Sequence, residues 1–496
     1  MEMKRASGIL LHPTSLPGPF GLGTLGAEAE EFVDFLARSR QSVWQILPLT
    51  PTGYGNSPYS AFSAFAGNPL LICPRKLAEH GDLDGRDLAP FEQPEGRTDY
   101  GAAYRRYRSL LPRAAERFFA GGSPSRLASF REFCVQQAYW LNDYALFQAL
   151  RRRFDGASWT EWPDDVRARR KDALRRWGEE LAEEVAIEKY AQFAFFEQWF
   201  AVKEYANDQG IRILGDMPIF VALDSADVWA NSGLFKLDAE QRPTVVAGVP
   251  PDYFSATGQR WGNPLYRWEK MAENGFSWWL SRMRWALAQT DMVRIDHFRG
   301  FEACWEVPAE EETAVNGTWQ PVPGDALLRR FAEVFGDIPV VAEDLGLITP
   351  EVEDLRDHFA LPGMKVLQFA FGSGPANPYL PHNLPRHSVI YTGTHDNDTT
   401  LGWWQALPED EKTAVCRYLG HDRPDMPWDL VRTALAAVAD LAVLPLQDIL
   451  ALDSGARMNC PGQEGGNWSW RLAKGQLTDE HAARLADLTH IYGRRP

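Results

Sequence analysis

The chain has 496 residues, 45% of them hydrophobic and 24% charged, with a formal net charge of −16, enough for one elaborated barrel or two to three domains around a large core. The acidic balance argues against nucleic acid and anionic membranes, which are held mainly by clustered Lys and Arg; a neutral ligand fits better. Five scattered cysteines without C-x-x-C spacing imply neither a disulfide framework nor a zinc site, and the lack of a signal peptide or of roughly 20 consecutive apolar residues predicts a cytoplasmic, non-membrane protein.

In chain order, residues 8–11 are a candidate first strand. Residues 27–38 form an amphipathic helix with Phe32, Phe35 and Leu36 on one face, and 43–49 a second strand. Gly21, Gly23 and Gly26 spell G-x-G-x-x-G just before the helix. A dinucleotide site needs those glycines directly after a strand and an acid about 20 positions on. Here 13–20 intervenes and 39–53 holds no acid, so that reading is rejected.

A Gly/Pro loop follows at 50–60, carrying Tyr54 and Tyr59. A mainly helical stretch then runs to about 210; within it Asp82-Leu83-Asp84-Gly85 lacks the remaining ligands of a calcium loop and reads as a turn. Strand character returns at 211–216. A second insertion includes 249–255 and 258–264, and long loops inside a compact protein are usually functional. Residues 276–289 read as a helix feeding the strand 291–300.

Further strands are predicted at 338–346, 364–371, 388–398 and 441–448, separated for the most part by helices at 326–335, 350–359 and 428–440. Eight apolar strands alternating with helices predict an α/β protein, a (β/α)₈ TIM barrel. The expected organisation is a single catalytic barrel over 1–496. Largely helical insertion subdomains would occupy 50–210 and 217–290, the latter with a lid loop at 249–264.

The strand 291–300 carries the densest chemistry. Alternation places Met292, Arg294 and Asp296 on one face and Val293, Ile295 and His297 on the other. A guanidinium beside Asp296 favours its ionised form, as a carboxylate nucleophile requires; a structural ion pair would show the same pattern. Asp216, Asp296, Glu343 and Asp396 all fall at the C-terminal ends of predicted strands, where a barrel gathers its catalytic groups.

MVRIDHFRG, VVAEDLG and GTHDNDT resemble the catalytic motifs of the α-amylase clan of retaining glycosidases and transglycosylases. Together with WQILPLTPTGYGNSPYS, GDMPIFVA, VAGVPPDYFSATGQRWGNPLY and NCPGQEGGNWSWR, they are similar to the amylomaltase family, the 4-α-glucanotransferases or disproportionating enzymes, over nearly the whole chain. Gly215-Asp216-Met217-Pro218 departs from the Asn-His ending of the α-amylases proper and favours the amylomaltase branch. The resemblance implies Asp296 as nucleophile, Glu343 as general acid/base and Asp396 as transition-state stabiliser. It also implies Arg294, His297 and His395 around the donor sugar, with Asp216 in the same bowl.

Retention requires one ionised and one protonated carboxyl roughly 5–5.5 Å apart. Glu343 has no basic neighbour in its motif, so repulsion from nearby acids is expected to raise its pKa. Tyr54, Tyr59, Phe254 and Trp261 are candidate sugar platforms, worth about 1 kcal/mol each. Tyr59 and Trp261 would flank the cleaved bond, with Asp252, Phe254 and Gln259 on the lid.

The expected function is transfer of α-1,4-glucan segments to the 4-hydroxyl of a glucan or glucose, with intramolecular transfer giving cyclic glucans. The alternatives are an α-1,4-glucan hydrolase on the same scaffold and a non-catalytic glucan-binding barrel. The partners are malto-oligosaccharides, amylose, and starch- or glycogen-derived chains. No metal, no cofactor and a monomeric state are expected.

Overall fold

Parallel strands covered on both faces must be apolar nearly throughout, and the first and last barrel strands show why this chain closes. β1 (Ala6–Leu10) and β12 (Leu441–Pro445) are fully buried and pair in parallel from Ala6 with Leu441 to Leu10 with Pro445. The other strands are β2 (Val43–Gln45), β3 (Arg212–Pro218), β4 (Val245–Val249), β5 (Gln259–Pro264), β6 (Met292–Asp296), β7 (Ala303–Pro308), β8 (Thr318–Pro321), β9 (Val340–Ala342), β10 (Gly363–Val366) and β11 (Ser388–Tyr391). The closed barrel runs β1-β12-β11-β10-β9-β6-β3-β2. This is a (β/α)₈ barrel. The structure is a computed structural model and describes residues 4–94, 96–251, 255–463 and 465–494.

All eight predicted barrel strands are present, most of them shorter at the C-terminal end. Pairing stops where the chain turns into the loops of the upper face. After Val366, for example, Leu367–Phe369 is a 3-10 turn, and β12 passes directly into a helical turn at Leu446–Ile449. The helix Ala27–Arg38 forms where its pattern places it and buries Phe32, Val33, Phe35 and Leu36. Phe32 meets Trp44 of β2 edge-on, with ring centroids 5.1 Å apart. The preceding glycines serve packing: a Cβ on Gly23 would lie 2.0 Å from the Pro13 carbonyl oxygen, and one on Gly26 2.6 Å from Cys73 Sγ.

Between β2 and β3 the longest helices are Tyr100–Gly121, Pro124–Gln136, Ala138–Arg153 and Ala182–Asp208. Much of the aromatic load is spent on packing them: Phe196 of the last helix sits 4.8 Å from Trp285 and 6.2 Å from Trp140. β5-β4-β7-β8 form a separate antiparallel sheet. Its strands come from both sides of β6, and none of the four is among the predicted strands: 258–264 is expected as loop in a largely helical insertion, whereas β5 pairs antiparallel with β4 there. No helix among the described residues is long and apolar enough to cross a membrane.

Candidate active site

Register builds the charged centre at the C-terminal strand ends. Asp216 of β3 is the direct neighbour of Arg294 of β6, and Asp296 follows Arg294 by two residues on the same face. Arg294 therefore reaches both carboxylates: Nη1 donates to Asp216 Oδ2 at 2.5 Å and Nη2 to Asp296 Oδ1 at 2.8 Å. The Arg294 side chain is 4% exposed. Burial opposes its charge, but Asp216 and Asp296 more than offset that and hold it protonated. Removing either half of a buried pair of this kind typically costs about 3–5 kcal/mol. The Tyr59 hydroxyl donates to the same Asp216 oxygen at 2.7 Å, while Asp216 Oδ1 is buried without a partner.

β9 lies beside β6, with Ile295 opposite Ala342, so the next residue, Glu343, emerges next to Asp296. Its carboxylate accepts from two backbone N–H groups, His297 at 2.7 Å and Leu345 at 2.9 Å. Strand alternation assigns His297 to the opposite face from Asp296. The structure corrects this: His297 is left-handed, φ 57°, so the strand has ended and alternation no longer governs its side chain. Such a conformation costs a non-glycine residue about 1–2 kcal/mol; the bond from His297 N–H to Glu343 supports it. The chain must then pass close to the ring, since a Cβ on Gly300 would lie 2.8 Å from Ile219 Cδ1 and 3.1 Å from His297 Cδ2.

Asp396 follows β11, and its side chain is 44% exposed. His395 Nε2 lies 3.4 Å from Asp396 Oδ2, and the His395 ring stacks on Tyr59 at 5.2 Å with 12° between planes. Asn459 Nδ2 donates to Asp396 Oδ1 at 2.6 Å. Arg457 donates to the backbone carbonyls of Asp396 and Asn459 at 2.6 and 2.8 Å. Trp468 flanks Tyr59 and His395 at 6.0 and 5.9 Å. Asn459, Arg457 and Trp468 were not among the predicted site residues. Asn459 and Trp468 lie in the Gly-rich, aromatic run 459–471, which carries part of the family resemblance, and Arg457 lies two residues before it.

The protonation pattern differs from expectation at Asp296. Burial raises its pKa; Arg294 pulls it down, and Asp216, Glu343 and Asp396 push it up again. Glu343 is also raised, chiefly by burial, against Arg294 and its two backbone donors. The direction predicted for Glu343 holds, but burial is the main cause rather than like charge, and Arg294 does act on it. The two carboxyls titrate as a pair that retains a proton above the ordinary carboxyl range. Burial favours the neutral form of both histidines: it pushes His297 down to about 3, with Arg299 adding to it, and lowers His395 against the pull of Asp396.

Trp261 of β5 stands edge-on to His297, centroids 4.7 Å apart at 86°. It is 39% exposed, and its indole N–H donates to Gln259 Oε1 at 3.2 Å. The structure therefore brings Tyr59, Asp216, Arg294, Asp296, Glu343, His395 and Asp396 into one network, with His297, Trp261 and Gln259 on its edge. Asp252 and Phe254 lie outside the described residues, as does the side chain of Tyr54. Among the described residues no group of three or more His, Cys, Asp or Glu is placed to hold a metal ion.

A parallel barrel presenting Asp, Glu and Asp at the ends of β6, β9 and β11, with an arginine locked to the first, has the frame of a retaining α-glycosidase or transglycosylase. The sequence pattern of the 4-alpha-glucanotransferases, glycoside hydrolase family 77, matches residues 11–478. The chain is 55% identical to the 4-alpha-glucanotransferase of Thermus thermophilus over 493 residues, 98% of each chain. It is 52% identical to that of Synechocystis sp., covering 99% of this chain and 98% of the other. The amylomaltase of Streptococcus agalactiae, solved in complex with acarbose, superposes with a TM-score of 0.95 at 40% identity, covering 99% of this chain and all of that one. The chain belongs to the 4-alpha-glucanotransferase family, and its activity is retaining glucan transfer.

Proposed function

We propose that the carboxylate network carries out a retaining double displacement on α-1,4-glucans, with Asp296 as nucleophile, Glu343 as acid/base and Asp396 as stabiliser. The supporting observation is the asymmetry of the pair. Arg294 donates directly to Asp296, biasing the shared proton towards Glu343. In the first step the Glu343 proton goes to the glycosidic oxygen while Asp296 attacks C1, forming a glycosyl ester and releasing the leaving glucan. In the second, Glu343 takes the proton of an acceptor 4-hydroxyl, whose oxygen attacks C1 and expels Asp296. Asp396, held by Asn459, opposes the positive charge that develops on the sugar ring in both steps.

Arg294, His297 and His395 define the donor sugar pocket, with Asp216 buried in the same bowl and holding Arg294 and Tyr59, and Tyr59 and Trp261 flank the cleaved bond. The segment 249–264, with Asp252, Phe254 and, on β5, Gln259, serves as a lid that excludes water and favours a sugar hydroxyl by proximity. Tyr54 offers a stacking surface for a longer chain. The regions 50–210 and 217–290 act as insertion subdomains that shape this glucan path, and long amylose that reaches its own bound end closes into a cyclic glucan. We carry the expectation of a cytoplasmic monomer with this proposal; light scattering on the purified protein checks the oligomeric state.

Maltotriose alone tests the reaction. Transfer yields glucose and longer chains with a constant number of reducing ends. A rise in reducing ends in step with every bond broken would mean hydrolysis and would overturn the proposal.

A further inference from the structure

A second polar and aromatic groove lies outside the carboxylate bowl but at the same end of the barrel. It encloses about 350 Å³, within the range of small-molecule sites, about 300–1,000 Å³. Its walls come from the first turns of the helices Ala138–Arg153 and Ser277–Gln289 and from the short helix Ala226–Ala230 that follows β3. A helix leading into a barrel strand runs antiparallel to it, so the start of Ser277–Gln289 sits near the C-terminal strand ends, on the catalytic side.

The side chains that face a ligand here are Tyr139, Asp143, Asn231, Asn274, Ser277 and Trp278. Tyr139 is 51% exposed, a large aromatic left in solvent at the mouth. Trp278 is 8% exposed, and its indole Nε1 is sealed from solvent with no acceptor in the protein, which is costly for a buried donor. Asp143 is neutralised by Arg169 at 2.5 Å. The carboxylate of Asp227, at the base, is raised to about 6 by burial and accepts from the backbone N–H of Ala64 at 2.7 Å. The groove thus combines an aromatic surface, amides and a hydroxyl, with no free positive charge among its lining side chains. That chemistry suits a neutral polyhydroxylated chain and disfavours anions.

We propose that this groove is a remote binding site for an α-1,4-glucan segment, holding a long chain whose end reaches the carboxylates. The inference rests on the glucan reading of the catalytic site. A trisaccharide occupies the bowl alone, whereas amylose engages both places and gains by multivalency.

Two variants test it in the full-length enzyme: Tyr139→Ala removes the platform, and Ser277→Trp fills the groove from an exposed position. Both should raise KM for long amylose roughly 3–10-fold, the loss expected for one aromatic contact, and both should lose retardation in native gels containing amylose. KM and kcat for maltotriose should stay at wild-type values. Unchanged amylose KM in both variants, or an equal change on maltotriose, would overturn the site. If wild-type enzyme fails to transfer from maltotriose, the catalytic reading falls instead, and gel retardation alone then decides the groove. Loss in both variants supports it; unchanged retardation refutes it.

Discussion

The strand ends and the loops above them are built by different rules. At the strand ends, Asp216, Arg294 and Asp296 are fixed by register between β3 and β6, and Arg294 is almost fully buried. Above them, Asp396 is 44% exposed and Trp261 39% exposed. Asp396 is positioned by Asn459, 63 residues away in sequence. The lesson is a division of labour. Bond making is assigned to groups that cannot move without breaking the barrel, and the choice of what attacks the intermediate is left to side chains on loops. Changes at the strand ends, and at Asp396 and the Asn459 that holds it, should act on kcat with every substrate; changes at the exposed aromatic rim should act on partition and affinity.

The largest effect expected is at Asp296. Asp296→Ala should reduce turnover by at least about 10⁴-fold, as removal of a nucleophile does elsewhere. The chain should still fold, because Arg294 keeps its bond to Asp216, with stability lowered by at most about 3–5 kcal/mol, the cost of losing one half of a buried pair. Near-normal activity would remove Asp296 from its role, and a collapsed fold would show the residue to be structural.

Asn459→Ala carries the test across to the loops. It deletes a hydrogen bond to a carboxylate, worth about 1.5–3 kcal/mol, or roughly 10–100-fold. Because Asp396 is assigned to the transition state, the loss should appear in kcat for maltotriose with KM nearly unchanged. A change confined to KM would place Asn459 in ground-state binding instead.

The pH profile sharpens the account of the strand ends. Above the raised pKa of the pair, Glu343 has no proton to give, so kcat/KM falls on the alkaline side. Asp216 is one of the neighbours that push Asp296 up. Asp216→Asn should therefore move the alkaline limb to lower pH. A limb that stays in place or moves upward would contradict the charge arrangement drawn here.

The smallest effect expected is at Trp261. Trp261→Ala should leave bond cleavage within about tenfold, the scale of one aromatic contact, while raising the fraction of reducing ends released as hydrolysis. An unchanged ratio of transfer to hydrolysis would refute the platform role.

The part legible in the sequence follows the same division. A strand has period two and a barrel gathers its C-terminal ends, so MVRIDHFRG and the acids after the other strands were enough to place the charged cluster. The left-handed turn at His297 carries no such signature, because nothing in the residue type demands it. β4, β5, β7 and β8 are short and partly exposed, and their sheet is joined by β4 to β7 across β6, so no continuous apolar run marks them as barrel strands are marked. Burial decides the pKa of Glu343 and Asp296 and cannot be read from neighbours in a motif. The Asn459 contact is long-range, and its run of glycines and tryptophans marks a loop without saying what it holds.

The central claim is that Asp296 bonds to the sugar. A slow-turnover fluorinated α-glucosyl fluoride forms the ester quickly and releases it slowly, so the enzyme can be trapped, digested and mapped by mass spectrometry. The account predicts one sugar per chain, on the peptide that contains Asp296, and no label in Asp296→Ala. A label on Glu343 or Asp396, or turnover of the fluoride with inversion and no adduct, would contradict it.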